Sequence, residues 1–231
     1  MVKNCKEVAK SIFDITPFTM LDYPNHLACI VWFAGCNMRC SYCYNPHIVL
    51  GKGKKSEEEL LEFLQKRAKH LEGVVLSGGE CTLYKKLVDL CIKIKGLGFK
   101  IKLDTNGSNP NVLKQLIKQN LIDFVSLDFK APKTLFKSIT FSNFYDALID
   151  SLQILQSNDI SFEVRTTVHI DILNEHAINE ISDILLENGY SGIYYLQKYL
   201  HVEQTLGKMQ NPIKIFDKNL LSDKIKIEFR N

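Results

Sequence analysis

Six short runs rich in apolar and β-branched residues recur along the chain, most of them followed by a stretch of helical periodicity. This alternation constrains the fold more than any other feature. The runs are LACIVWFA (27–34), GVVLSG (73–78), FKIKLDT (99–105), DFVSLDFK (123–130), SFEVRTTV (161–168) and GIYYLQKY (192–199). Between them, SEEELLEFLQKRAKHL opens on a serine cap with acids in its first turn and ends in bases, and LYKKLVDLCIKIKGLG closes on glycines. NPNVLKQLIKQN, NFYDALIDSLQILQSN and NEHAINEISDILLEN complete the helical set. Strand then helix, repeated in this way, predicts βα units around a parallel sheet. A closed eight-stranded barrel needs about 250 residues. The chain has 231, so the expected fold class is α/β, an open, partial TIM-type barrel of about six parallel βα units. A flat doubly wound sheet is the alternative. Residues 1–231 read as a single domain, with a core at about 27–200, an N-terminal extension 1–26 and a C-terminal tail 201–231. In the extension, FDITPFTMLDYPNH suits a short edge strand, and KIKIEFRN at the other end suits a further one.

A hydrophobic content of 45% supplies a core, while a net charge of +3 is close to balance and makes no electrostatic case for a nucleic-acid or membrane partner. The Lys-rich GKGKK (51–55) reads as a solvated loop. MVKNCKEVAKSIFD lacks the apolar run of a signal peptide, and no stretch reaches the length of a membrane span, so the expected location is the cytoplasm. Seven cysteines in a reducing compartment point to a metal or redox site rather than a disulfide framework. Cys5, Cys29, Cys81 and Cys91 stand apart from one another; Cys29 in an apolar strand and Cys91 on an apolar helical face read as small core residues.

A parallel strand buried on both faces reads as continuous Val, Ile and Leu. The first two runs obey that rule and the later four break it. By period-two alternation Ser126, Asp128 and Lys130 share one face, as do Glu163, Arg165 and Thr167, and Tyr195, Gln197 and Tyr199, while Asp104 ends its strand. Their apolar neighbours of opposite parity (Val125, Leu127, Phe129, Phe162, Val164, Val168) suit packing under helices. The polar set then points into the barrel, where unpaired charges would cost several kcal/mol each. One reading is a self-satisfied network pairing Asp128 with Lys130 or Glu163 with Arg165. The other, which we favour, is a water-accessible cavity for a zwitterionic ligand.

FAGCNMRCSYCYNP places Cys36, Cys40 and Cys43 after the first run. Zinc bound by three cysteines and His47 is one reading. No second Cys-x-x-Cys occurs, and closely spaced loop cysteines also suit an iron–sulfur cluster, three thiolates leaving one iron open to substrate or cofactor. VVLSGGE (74–80) ends the second run on Gly78, Gly79 and Glu80, where glycines allow close backbone approach and a carboxylate can accept from a cationic amine. These features, with Asp104-Thr105-Asn106-Gly107, all fall at the C-terminal ends of strands, where βα barrels build their sites.

CNMRCSYC and SGGE resemble the cysteine and Gly-Gly-Glu motifs of the radical S-adenosylmethionine enzymes. The resemblance implies a 4Fe–4S cluster on Cys36, Cys40 and Cys43, its open iron chelated by S-adenosylmethionine. TMLDYPNHLACIVWFAGCNMRCSYCYNP, KLDTNGSNP, DFK and VRTTV further resemble the activating enzymes of glycyl radical proteins, above all those that serve anaerobic ribonucleoside-triphosphate reductases. That likeness implies a cofactor surrounded by Asp104, Thr105, Asp128, Lys130 and Arg165, with Gln197 nearby and the backbone around Tyr42 facing the adenine. It implies an electron from flavodoxin or ferredoxin, reductive cleavage to a 5′-deoxyadenosyl radical, and hydrogen abstraction from a glycine of a partner protein. The alternatives are a radical enzyme of modified-nucleoside type acting on a small molecule, another glycyl radical partner, and a non-catalytic zinc module. The chain departs from the family pattern at Cys81, where proline is usual, at Tyr44, where histidine is usual, and at Asn25, where LDYPG becomes LDYPN. It also lacks the Cys-rich ferredoxin-like insertion of some activating enzymes.

Overall fold

A computed structural model describes residues 10–202 and 204–230; Cys5 and the first nine residues of the extension lie outside them. Eight strands form one open sheet in strict sequence order, β1 (Ile12–Thr19), β2 (Ala28–Phe33), β3 (Gly73–Gly78), β4 (Lys100–Thr105), β5 (Phe124–Asp128), β6 (Ser161–Val168), β7 (Tyr194–Lys198) and β8 (Ile227–Arg230). β2 to β8 run parallel and β1 is antiparallel to β2. A doubly wound sheet reverses its strand order at a switch point. This one never does, so the partial barrel stands and the flat alternative falls. Both expected edge strands are present.

The helices are α1 (Pro46–Val49), α2 (Glu57–Arg67), α3 (Leu87–Gly96), α4 (Pro110–Lys118), α5 (Lys133–Thr140), α6 (Tyr145–Gln156) and α7 (Glu175–Glu187). Ser56 and Glu59 close a reciprocal capping box at the start of α2. Asn174 caps α7 by accepting from the Ala177 N–H. The sequence reading had no counterpart to α5, which follows Pro132 with no acid in its first turn and is held by buried Phe136 and Ile139. Among the described residues no helix is long and apolar enough to cross a membrane.

The main core lies between the sheet's outer face and the helices, and takes in Cys29, Cys91, Val125, Leu127, Phe129 and Val164 as their parity required. Inside the barrel a second, small cluster of Tyr23, Ala28, Ile30 and Val75, with Trp32 and Phe124 against it, plugs the end at which the strands begin. Tyr23 comes from LDYPN. A Cβ on Gly73 would lie 2.7 Å from its ring, so that glycine makes room for the plug. Asn25 has φ 61°, a left-handed conformation in which asparagine is the usual substitute for glycine. The departure from LDYPG therefore keeps the turn that delivers Tyr23.

Candidate active site

At the other end of the barrel a cavity of about 430 Å³ opens between the ends of the strands and the loop that follows β2. The fold brings every candidate residue to its walls: Cys36, Cys40 and Cys43; Tyr42; Gly78, Gly79 and Glu80; Asp104 and Thr105; Asp128, Lys130, Arg165 and Gln197.

The cysteine loop is held from three directions. Arg39 N–H donates to the Thr140 carbonyl (2.8 Å) and Ser41 N–H to Ile139, the end of α5. From the tail, Leu206 N–H reaches the Cys43 carbonyl (3.0 Å) and Gly207 N–H the Ser41 carbonyl (2.8 Å). From β3, Glu80 N–H donates to the Gly35 carbonyl (2.9 Å). The glycines of SGGE serve this last contact. Gly78 has φ 124° and a Cβ there would meet the Phe33 backbone at 2.3 Å, while one on Gly79 would lie 2.0 Å from the Gly35 carbonyl oxygen. Their missing side chains make room for the cysteine loop's own backbone, where the sequence had suggested room for a ligand.

Glu80 is also more committed than its sequence context suggested. Its Oε1 accepts from Thr82 N–H, Thr82 Oγ1 and Thr105 Oγ1, and its Oε2 from Asn106 N–H (2.8 Å). The carboxylate thus welds the ends of β3 and β4 together, leaving Oε2 with one protein donor. Burial pushes its pKa up despite those bonds.

The inward charges are paired, and they line the cavity as well. Arg165 bridges Asp104 (3.2 Å) and Asp128, and Lys130 holds the second oxygen of Asp128 at 3.0 Å. Burial would raise the Asp128 carboxyl, but Arg165 and then Lys130 outweigh it and hold it well below the usual carboxylate range; Arg165 and Lys102 likewise lower Asp104. The suggested Glu163–Arg165 pair does not form. Glu163 instead accepts from Ser126 Oγ (2.7 Å) and pairs with Arg230 of β8 (2.8 Å). Tyr199, assigned to the inward face, stacks on Tyr44 beyond the end of β7, where the alternation stops.

Sequence reasoning missed several neighbours. Lys102, buried against Asp104, shares its parity and was legible from alternation. Asn37 and Ser108 went unseen as well: with Asn106 of the DTNG stretch they clasp the cysteine loop to the end of β4, Asn106 Nδ2 lying 3.1 Å from Asn37 Oδ1 and 3.9 Å from Cys36 Sγ; no sequence pattern pairs residues so far apart. Cys81 is fully buried off the cavity, its thiol directed to the carbonyls of Leu76 and Asp104, so it is a packing residue. Tyr44 accepts from the Leu200 N–H (2.7 Å) and ties the tail to the loop.

Cys36, Cys40 and Cys43 are free. Burial pushes the Cys40 thiol up to about 12 and raises Cys36. Among the described residues no three His, Cys, Asp or Glu converge on the position of one metal ion, and exposed His47 turns against Phe13, so the Cys3His zinc site has no geometry here. Three soft thiols at one end of a cavity whose other walls carry both signs of charge fit a multinuclear iron–sulfur centre with a zwitterion beside it.

Comparison with known proteins agrees. Residues 30–186 match the description of the radical SAM superfamily, and the chain belongs to that family. It is a radical S-adenosylmethionine enzyme, and its cofactors are a 4Fe–4S cluster and S-adenosylmethionine. Over 195 residues it is 29% identical to a Methanocaldococcus jannaschii protein provisionally named as a glycyl-radical enzyme activating enzyme, covering 80% of this chain and 78% of that one. It is 32% identical over 126 residues to the pyruvate formate-lyase-activating enzyme of Clostridium pasteurianum, spanning 52% of each. In fold it is similar to SuiB of Streptococcus suis bound to S-adenosylmethionine, with a TM-score of 0.65 at 16% identity, over 87% of this chain and 52% of that one.

Proposed function

We propose that the chain is an activating enzyme that generates a glycyl radical on a partner protein, and that this partner is the large subunit of an anaerobic ribonucleoside-triphosphate reductase. The observation that carries the reading is the similarity to a glycyl-radical enzyme activating enzyme along 80% of the chain. The motif set LDYPN, DTNG, DFK and VRTTV supports the reductase as partner. Flavodoxin or ferredoxin supplies the electron, and the reaction takes place in the cytoplasm.

Cys36, Cys40 and Cys43 hold the cluster. Bound together, the two cofactors supply reductive cleavage of a carbon–sulfur bond and a carbon-centred radical. The chain's own residues provide position and dryness. The free lone pairs of Glu80 Oε2 receive the methionine amine, with the backbone of Gly78 and Gly79 lining the cavity beside it. Asp104, Thr105, Asp128, Lys130 and Arg165 hold the ribose and methionyl ends, Gln197 borders them, and the backbone at Tyr42 faces the adenine. Because Arg165 and Lys130 are already locked onto carboxylates, they offer a preorganised field rather than mobile charges.

The test mixes the reduced, reconstituted protein with the host's anaerobic reductase under anoxia and looks for a glycyl doublet by electron paramagnetic resonance. Failure with every glycyl radical protein of the host overturns the reading. Cys40→Ala is expected to abolish both the cluster and cofactor cleavage.

A further inference from the structure

Beside the active-site mouth lies a larger groove, of about 790 Å³, that the chemistry above does not use. It runs over the outer face of β6, β7 and β8, under the tail segment 211–218, and no α-helix residue lines it. Its floor is apolar, with Leu196, Phe216 and Phe229 among the lining residues. Its rim carries Lys198, Lys214 and Lys218, and among the described residues no carboxylate lines it and none of the three forms an ion pair. Ile213 and Ile215 are both 92% exposed, yet their segment is fixed, because Asp171 accepts the N–H groups of Ile213 and Lys214 at 2.9 Å each. Lys198 and Leu200 line this groove and the cofactor cavity alike, so the two adjoin.

Monomeric proteins rarely hold isoleucines this exposed beside an open apolar groove unless something covers them. From this we infer that the groove docks an extended, acidic and apolar segment of the protein substrate, next to the stretch whose glycine enters the cavity. The inference rests on the activating-enzyme reading and names the surface that selects its partner. Charge complementarity decides the occupant. Three lysines that form no ion pair among the described residues, the nearby Asp171 being bound to backbone N–H groups, attract Asp and Glu, whereas a second copy docked isologously would bring these lysines against their own mates. Adjacency to the mouth fits an occupant on the molecule that must reach the cavity.

The test uses Lys214→Glu/Lys218→Glu and Ile215→Glu, all on exposed side chains outside the cofactor cavity, with the host's anaerobic reductase as probe. Both variants are expected to cleave S-adenosylmethionine without partner at the wild-type rate. Their KM for the reductase is expected to rise about tenfold or more with kcat nearly unchanged, and binding measured by calorimetry is expected to weaken equally. Added salt is expected to weaken wild-type binding more than that of the double lysine variant. Wild-type KM and affinity in both variants would overturn the inference while leaving the activase reading intact. A wild-type dimer dissolved by Ile215→Glu, with reductase affinity unchanged, would assign the groove to a second copy instead. If no radical forms even with the wild type, the reductase fails as the partner, and calorimetry decides whether the groove binds it: no binding overturns the inference for this partner.

Discussion

Asp128 keeps a full charge inside a barrel because Arg165 and Lys130 are fixed upon it. As its pKa is depressed, the stability it contributes is present above the ordinary carboxylate range and is lost as pH falls through the lowered value. Arg165→Met strips the guanidinium from two carboxylates at once. Lys102 and Lys130 alone then oppose desolvation at Asp104 and Asp128, both acids titrate higher than in the wild type, and much of the stability they contribute above the carboxylate range is lost. The expected deficit against wild type is about 3–5 kcal/mol near neutrality, narrowing toward acid, as urea titrations at a series of pH values will read. Asn25 makes a gentler case. Asn25→Gly is expected to change stability by less than about 1 kcal/mol, and Asn25→Val to cost about 1–2 kcal/mol, because a β-branched side chain tolerates φ 61° poorly. Thermal unfolding of the pair decides it. The three cysteines, the inward acids and Lys130 were readable because each breaks a local rule of composition or alternation. The Asn37–Asn106–Ser108 clasp was not, since each member is an ordinary loop residue until the fold brings β4 against the cysteine loop.

Among elements, the strands were legible and their ends were not. Period-two alternation located β4 to β6 and the faces they show, but it misled at Tyr199, one residue past the end of β7. α5 escaped because it is short and begins on Pro132 without acidic residues, and tertiary burial of Phe136 and Ile139 decides it. The glycines after β3 were noticed for a different reason from the one they serve. Gly79→Ala would set a methyl 2.0 Å from a backbone oxygen that has no side-chain freedom to yield. It is expected to displace the cysteine loop at a cost of about 1–3 kcal/mol and to lower iron bound per chain after anaerobic reconstitution, a ratio that Gly96→Ala, where a Cβ meets nothing, leaves unchanged. Tyr23 does the corresponding work at the opposite end. Tyr23→Ala removes the largest member of the plug and is expected to cost about 3–5 kcal/mol in denaturant unfolding.

At the scale of the whole molecule, the tail that the sequence left outside the core is part of the site. Cys43 and Ser41 are each hydrogen-bonded to it, Tyr44 is bonded to Leu200 just before it, and β8 supplies the arginine that pairs with Glu163. Leu206→Pro deletes the N–H that reaches the Cys43 carbonyl while leaving the rest of the tail in place. Faster loss of iron to a chelator is expected, with unfolding shifted by only a few degrees; unchanged iron release would show the tail to be a passenger. The clasp also sets an order of events during biosynthesis. Cys36, Cys40 and Cys43 are made long before Leu206 and Gly207, the tail residues that complete the grip on their loop. At ordinary synthesis rates the interval between Cys43 and Leu206 is on the order of ten to thirty seconds. Through that interval three thiols wait on an unfinished scaffold, so loading with iron and sulfide belongs after translation, and the nascent chain is the form most exposed to oxidation.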